Sequence, residues 1–292
     1  MRACVTGGAG FVGRCLVQLL LERGWAVQVL DDFSTGLWNE VFLPGVKVFR
    51  GDIVHYEDLK GLFSWADAVF HLAAVPRWAG FSKPLCCLEV NGLGTLKVLL
   101  AAREARIRHF VHVSSGSVSI GPDVKPESFE PENMYGLSKA VGELYAKFFQ
   151  RYFEVSILRP FHVYGRGMGP AENIFTRFIK AALADEPLTI YGDGSQRLSV
   201  TWVGDAARAC FWTLEHSGFY AVAGETITVN DLADQIIGLI GSGRKESIGM
   251  PDWAYGDHTS GCDRLVRAGF SFEGTLEKKL PETIESLRNW KT

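Results

Sequence analysis

The chain has few of the features that mark secreted, metal-bound or membrane proteins. Its six cysteines (Cys4, Cys15, Cys86, Cys87, Cys210, Cys262) show no C-x-x-C spacing, and most sit in apolar stretches. They read as small buried hydrophobes in a reducing compartment rather than a disulfide framework. The seven histidines are scattered singly, without metal-ligand spacing, so no metal site is expected. No uninterrupted run of 18 or more apolar residues is present, which argues against a membrane-spanning helix. Met1-Arg2 runs straight into an apolar segment with no leader before it, and a cytoplasmic location is the expectation. Charge of one sign is also scarce. A net charge of −3 offers nothing to draw the chain to nucleic acid or an anionic membrane. At 292 residues and 47% hydrophobic content, the chain can bury a sizeable core in one large or two closely joined domains.

What is present begins with Thr6-Gly7-Gly8-Ala9-Gly10-Phe11-Val12-Gly13. The preceding Ala3-Cys4-Val5 reads as a buried parallel strand. Afterwards Phe11, Val12, Cys15, Leu16, Leu19 and Leu20 recur at helical spacing. Strand, glycine turn and helix together make a dinucleotide site. One glycine turns tightly, one lets a pyrophosphate touch bare backbone, and one lets helix and strand pack closely. The opened helix offers free N–H groups and its positive dipole end to the phosphates. The alternative, a tight turn without ligand, is weakened by the next strand. Ala26-Val27-Gln28-Val29-Leu30 ends at Asp31-Asp32, about 20 residues on, where an acid would hold ribose hydroxyls. Asp31 directly follows the strand, its carboxylate would repel a 2′-phosphate, and Phe33-Ser34-Thr35 supply no cation. NAD is favoured over NADP.

Further strands follow in alternation with helical segments. Val46–Phe49 ends at Gly51-Asp52-Ile53, where an acid and an aliphatic side chain could meet an adenine edge; Asp52 could equally cap the segment from Tyr56 to Trp65. Ala68–Leu72 runs into the small residues Ala73-Ala74. A helix is expected over Leu88–Glu104, carrying Asn91, and a fifth strand over His109–Ser114. This alternation predicts an α/β fold with a doubly wound parallel sheet. Leu232, Ile236, Ile237 and Ile240 predict an amphipathic helix, Gly241 to Cys262 a variable loop, and Glu282 to Trp290 a final helix.

The fifth strand ends in Ser114-Ser115-Gly116-Ser117, and Tyr135-Gly136-Leu137-Ser138-Lys139 opens the next helix. Carboxyl ends of strands in an open parallel sheet face the ligand crevice. Tyr135 and Lys139 lie four residues apart, on one helix face. An ammonium near the phenol, and the positive nicotinamide of NAD, would lower its pKa from about 10. Such a tyrosine can take the proton of an alcohol as hydride leaves the carbon. Taken singly, a strand-end serine cluster is turn chemistry and Tyr-x-x-x-Lys a chance spacing; together in this order they define a site.

With these residues the chain resembles an extended short-chain dehydrogenase/reductase of the NAD-dependent epimerase/dehydratase family, which modifies nucleotide-linked sugars. The resemblance rests on the glycine stretch, Gly51-Asp52-Ile53, His71-Leu72-Ala73-Ala74, Asn91, Ser114-Ser115 and the Tyr135–Lys139 motif. It extends over Leu158–Gly165, Ile190–Gly194 and Val203–Ala207, nearly the whole chain. It implies Ser115 and Tyr135 as the catalytic pair and Lys139 as the residue that holds the nicotinamide ribose and tunes the base. It implies Gly7, Gly10, Phe11, Val12, Gly13, Asp31, Asp52, Ile53, Ala73, Ala74 and, more indirectly, Asn91 as cofactor-site positions. Residues 1–164, with 198–216 returning, would form the Rossmann domain. Residues 165–197 and 217–292 would form a smaller α/β substrate-binding domain. Pairing through helices at Leu88–Glu104 and Tyr135–Arg151 would give a homodimer.

Four departures bear on substrate and reaction. Gly116-Ser117 replace the Asp-Glu pair of sugar-nucleotide dehydratases, which makes 4,6-dehydration unexpected. Ser119 replaces a tyrosine. His162 stands where an asparagine near the substrate is common, and a packing role is equally open. Tyr255, not arginine, precedes Gly256-Asp257, leaving Arg197 and Arg264 as candidates to hold a diphosphate, with Ser117 beside the sugar. The leading expectation is NAD-dependent epimerisation of a nucleoside-diphosphate sugar at C4. A dehydrogenase or keto-reductase on a sugar nucleotide or a smaller hydroxy substrate, similar to threonine dehydrogenases of this superfamily, is the rival. A non-catalytic NAD-binding regulator is a more distant one.

Overall fold

The computed structural model describes residues 1–35, 44–77, 82–121, 125–131, 133–169, 173–251 and 256–289. The chain starts with β1 (Arg2–Thr6), α1 (Phe11–Glu22), β2 (Ala26–Asp31), β3 (Val46–Arg50), a single turn α2 (Tyr56–Leu59) and β4 (Ala68–His71). Next come α3 (Pro84–Glu104), β5 (His109–Val113), α4 (Met134–Phe149), β6 (Glu154–Pro160) and the short β7 (Val163–Tyr164). The remainder comprises α5 (Ile174–Leu183), β8 (Pro187–Tyr191), β9 (Arg197–Trp202), α6 (Val203–Trp212), β10 (Phe219–Val222) and β11 (Glu225–Thr228). It closes with α7 (Val229–Ile240), β12 (Arg244–Ile248), α8 (Asp263–Arg267) and α9 (Leu276–Arg288).

Seven parallel strands form the main sheet in the order β3-β2-β1-β4-β5-β6-β10. The order reverses between β1 and β4, which opens a crevice at their carboxyl ends. Strands buried on both faces need apolar side chains on both. Leu16, Leu20, Val29, Phe70, Val111 and Leu158 fill one side. Leu30, Phe63, Val69, Leu99, Phe110 and Phe149 fill the other. This is the doubly wound Rossmann architecture expected. In α1 the buried residues Gly13, Leu16, Val17 and Leu20 keep the i, i+3, i+4, i+7 spacing of one face.

A smaller lobe holds two minor sheets, β11-β9-β7 and β12-β8, around Phe175, Phe178, Ile190, Val200, Ile236 and Ile284. The chain crosses between lobes more often than its motifs suggest. α6 packs with α1 as part of the segment expected to return, yet β10 also joins the main sheet, beyond residue 216. Leu198 and Val200, inside that segment, pack in the smaller core.

Other local structure differs from the periodicity reading. The segment Tyr56–Trp65 breaks into α2 and a 3-10 turn at Leu62–Trp65, because Gly61 takes a left-handed φ of 72°. The expected loop Gly241–Cys262 contains β12, which pairs in parallel with β8. The last helix starts earlier, at Leu276, with Pro281 inside it. α3 also starts earlier and is π-helical over Leu88–Gly94. Although charged side chains interrupt its apolar runs, α3 as a whole is 21 residues long and apolar enough by composition to span a membrane, a correction to the run-length reading. Its residues Asn91, Thr95, Val98, Leu99 and Ala102 are buried inside the fold, as in a core helix.

The closest packing lies at the crevice. Gly7 has φ 72°, and a Cβ on it would stand 2.5 Å from the Ala73 amide nitrogen. One on Gly13 would stand 2.1 Å from the Gly7 carbonyl oxygen. These are backbone atoms that cannot swing away. Gly13→Ala is therefore expected to cost about 1–3 kcal/mol, lowering the thermal midpoint by roughly 2–10 °C in a calorimetric scan.

Candidate active site

The register of the sheet brings Thr6, Leu30 and His71 side by side, so the loops after β1, β2 and β4 share one edge. Gly7 and Gly13 are required by the protein's own backbone contacts. Gly10 is different, because a Cβ there would meet only the Gly7 carbonyl oxygen, at 3.2 Å. Its missing side chain leaves a way in from the crevice. Gly10 is also the N-cap of α1, with no side-chain cap and no acidic residue in the first turn. The first N–H groups of α1 are thus left to an anion, and the cradle fits the pyrophosphate of a dinucleotide. Phe11 and Val12 are half-buried, with Phe11 packed against the core of the smaller lobe.

Asp31 is buried at the end of β2. Its carboxylate accepts the Ala9 and Phe33 amides, both at 2.9 Å. Burial pushes its pKa up, and the two amides and Arg14 oppose that. The carboxylate is thereby fixed against the glycine turn, with lone pairs left for ribose hydroxyls. Asp52 accepts the Val54 amide at 2.9 Å, while His55 stands at the N-cap of α2 without a side-chain cap. Asp52 closes a local turn rather than capping a helix. Ile53 is buried against Gly94, where a Cβ would lie 2.8 Å from its Cδ1. Ala73 and Ala74 are half-exposed.

Asn91 works through its neighbours. It accepts the Val75 amide at 2.9 Å and donates to Ser138 Oγ at 3.0 Å, and Ser138 Oγ donates to the Tyr135 carbonyl at 2.8 Å. The loop after β4 is thus tied to the first turn of α4. Beneath it, His71 bonds Thr6 Oγ1 through Nδ1 at 2.7 Å and Thr95 Oγ1 through Nε2 at 2.9 Å. Thr95 donates its own proton to the Asn91 carbonyl, so the His71 proton sits on Nε2 and Nδ1 accepts from Thr6. Burial and the Lys139 ammonium push His71 down to about 3, keeping it neutral.

Ser115 and Tyr135 come together as their motifs suggest, with the serine hydroxyl placed to favour the phenolate. Asn133 caps α4 by accepting the Gly136 amide at 2.9 Å. A Cβ on Gly136 would lie 2.1 Å from the Ser117 carbonyl oxygen, so the helix starts directly on the strand end. Burial raises the Tyr135 pKa, and Ser115 and the Arg77 guanidinium oppose the rise. Lys139 is buried and donates from Nζ to the Val113 carbonyl at 2.7 Å. Desolvation brings it down to about 8, with Glu143 opposing. The expected lowering of the phenol by Lys139 is not found here: the ammonium is turned to the strand carbonyl, and burial dominates at Tyr135.

The four substrate candidates do not form one group. Ser117 is buried, its amide donating to Ser115 Oγ at 3.1 Å. His162, at φ 29°, lies 4.6 Å from His258, ring centre to ring centre, and burial, then His258 and Arg77, lower its pKa. Arg197 is exposed and bound to Asp257 at 2.6 Å. Arg264, on α8, lies over the Tyr220 ring at 5.8 Å. The contacts of both arginines are thus with Asp257 and Tyr220, not with the serine–tyrosine pair. Tyr255 lies outside the described residues. Among the described residues no cluster of three or more His, Cys, Asp or Glu could hold a metal.

Three features escaped the motif reading: Arg77, which acts on Tyr135, His162 and His258; the Thr6–His71–Thr95 chain; and Glu143. The last carried a signal, since it lies one further helical turn beyond Tyr135 and Lys139.

A parallel sheet reversing at a glycine cradle, with a serine and a tyrosine brought together at the end of β5, defines a dinucleotide-binding α/β protein of the Rossmann type. The chain belongs to the NAD dependent epimerase/dehydratase family, whose sequence pattern matches residues 3–223. It is 30% identical to the UDP-glucose 4-epimerase of Mycolicibacterium smegmatis over 99% of both chains. Among solved structures it is similar to the NAD complex of the Thermus thermophilus UDP-glucose 4-epimerase (TM-score 0.90, 28% identity, 99% of both chains). A second is the UDP-N-acetylglucosamine 4-epimerase of Methanobrevibacter ruminantium (TM-score 0.91, 27% identity, 98% of both chains).

Proposed function

We propose that the protein epimerises the sugar of a nucleoside-diphosphate sugar at C4, using NAD. The observation that carries this reading is the placing of Ser115 and Tyr135 together at the end of β5, beside a cradle that fits a dinucleotide. Gly7, Gly10, Phe11, Val12 and Gly13 would hold the pyrophosphate and Asp31 the adenosine ribose. Asp52 and Ile53 would meet the adenine, and Ala73, Ala74, Asn91 and Lys139 the nicotinamide side. When bound, NAD supplies a hydride acceptor and donor and a positive charge beside the phenol. Tyr135 takes the proton of the substrate hydroxyl and later returns it, while Ser115 holds the same oxygen. Burial raises the phenol in the free protein, and positive charge beside it would oppose that rise. Dehydration would need an acid and a base at the turn Gly116–Val118, and Gly116, Ser117 and Val118 supply no carboxylate.

The engagement of Arg197 by Asp257 favours a second reading, a dehydrogenase acting on a smaller hydroxy substrate, because the diphosphate then loses one expected partner. Incubation with nucleotide sugars and excess NAD separates the two. The epimerase gives an inverted sugar carbon and no net absorbance of reduced nicotinamide; steady accumulation of NADH selects the dehydrogenase.

Tyr135→Phe keeps the ring and removes the proton carrier, so turnover should fall on the order of 10²-fold or more while NAD binding persists. In direct titrations NAD should bind at least about tenfold tighter than NADP, since Asp31 would face a 2′-phosphate. The reading includes a homodimer through α3 and α4. Leu85, Leu93, Leu137, Leu144 and Phe148 on these helices are exposed, more apolar surface than a helix facing water presents. Light scattering at micromolar concentration should report a mass twice that of the chain.

A further inference from the structure

Glu143 and Arg159 form an ion pair in the interior that the proposed chemistry does not use. Their side chains are 2% and 0% exposed. Arg159 donates from Nε to Oε1 at 2.8 Å and from Nη2 to Oε2 at 2.7 Å, a two-pronged contact. Ser114 Oγ donates to the same Oε1. The guanidinium also lies over Phe219 at 4.6 Å and Phe129 at 5.4 Å. Removing two charges from water costs at least as much as their attraction returns, and apolar pairs of similar volume often replace such a bridge without loss of stability. Stability alone therefore gives no reason for the pair.

Its position does. Tyr135, Lys139 and Glu143 stand on successive turns of one face of α4. They reach three consecutive residues at the end of β5: Tyr135 faces Ser115, Lys139 bonds the Val113 carbonyl, and Glu143 the Ser114 hydroxyl. Arg159, on β6, holds Glu143 from the neighbouring strand, and the Ser114 amide donates to the Leu158 carbonyl at 2.7 Å. The strand end, the helix and the next strand are thus locked within one residue of the reacting pair.

We propose that Glu143, held by Arg159, is a positioning residue that sets α4 against the end of β5 so that the Tyr135 phenol and the Ser115 hydroxyl converge. The inference rests on the catalytic role given to that pair, and its test has one readout independent of turnover. The Ser115 hydroxyl favours the phenolate; if the pair drifts apart, that stabilisation is lost and the phenol titrates higher.

The variant Glu143→Leu/Arg159→Met removes both charges at similar volume. The near-ultraviolet phenolate band of Tyr135 is isolated by difference against the same protein carrying Tyr135→Phe. Expected are a thermal midpoint and NAD affinity close to native, a phenol proton affinity raised about tenfold, and kcat lowered roughly 50-fold with KM within about threefold. A folded double variant with native phenol titration and native kcat would overturn the proposal. Should it fail to fold, Ser114→Ala decides: it leaves the ion pair intact, and an unchanged phenol titration there would equally reject the inference. Absence of turnover on any sugar nucleotide by the native protein would reject the proposed function, while the phenol titration would still decide the role of Glu143.

Discussion

Everything at the crevice depends on backbone touching backbone at the point where the sheet reverses. The turn after β1 meets the start of the loop after β4 so closely that Gly7 has no room for a single carbon, and Gly13 is closed off in the same way by the Gly7 carbonyl. That contact holds the N-terminus of α1 open toward the crevice. It also places Asp31, through the Ala9 amide, at the rim. From Ala73 the same loop continues to Val75, and Asn91 carries the connection to Ser138 and the Tyr135 turn. The glycine cradle and the first turn of α4 are therefore parts of one connected frame.

Burial fixes the protonation states of the groups inside this frame. His71 is kept neutral by burial and fixed in one tautomer by two threonines. Lys139 is partly stripped of its charge preference by the same burial. Burial raises the phenol of Tyr135 as well, with Ser115 and Arg77 opposing the rise.

The smaller lobe follows other rules. Its sheets are short and its core is shared among segments distant in sequence. Arg197 and Asp257 close on each other at its surface, and His162 and His258 pack together. Each of these pieces comes from a loop or strand end whose neighbours are set by tertiary contacts.

Much of the main domain was legible in the sequence because its signals are local. A glycine turn between an apolar strand and an amphipathic helix, an acid at the next strand end, and Tyr135 and Lys139 one turn apart each follow from steric or periodic rules within a few residues. The same holds for the absence of a carboxylate at Gly116 and Ser117. Tertiary structure alone decided the rest. The π-helical turn around Asn91 and the strand Arg244–Ile248 depend on packing partners far along the chain. So do the orientation of Lys139 toward Val113 and the pairings of Arg197 with Asp257 and Glu143 with Arg159. A charged side chain takes whichever partner burial and geometry bring within reach, and no spacing along the chain encodes that distance.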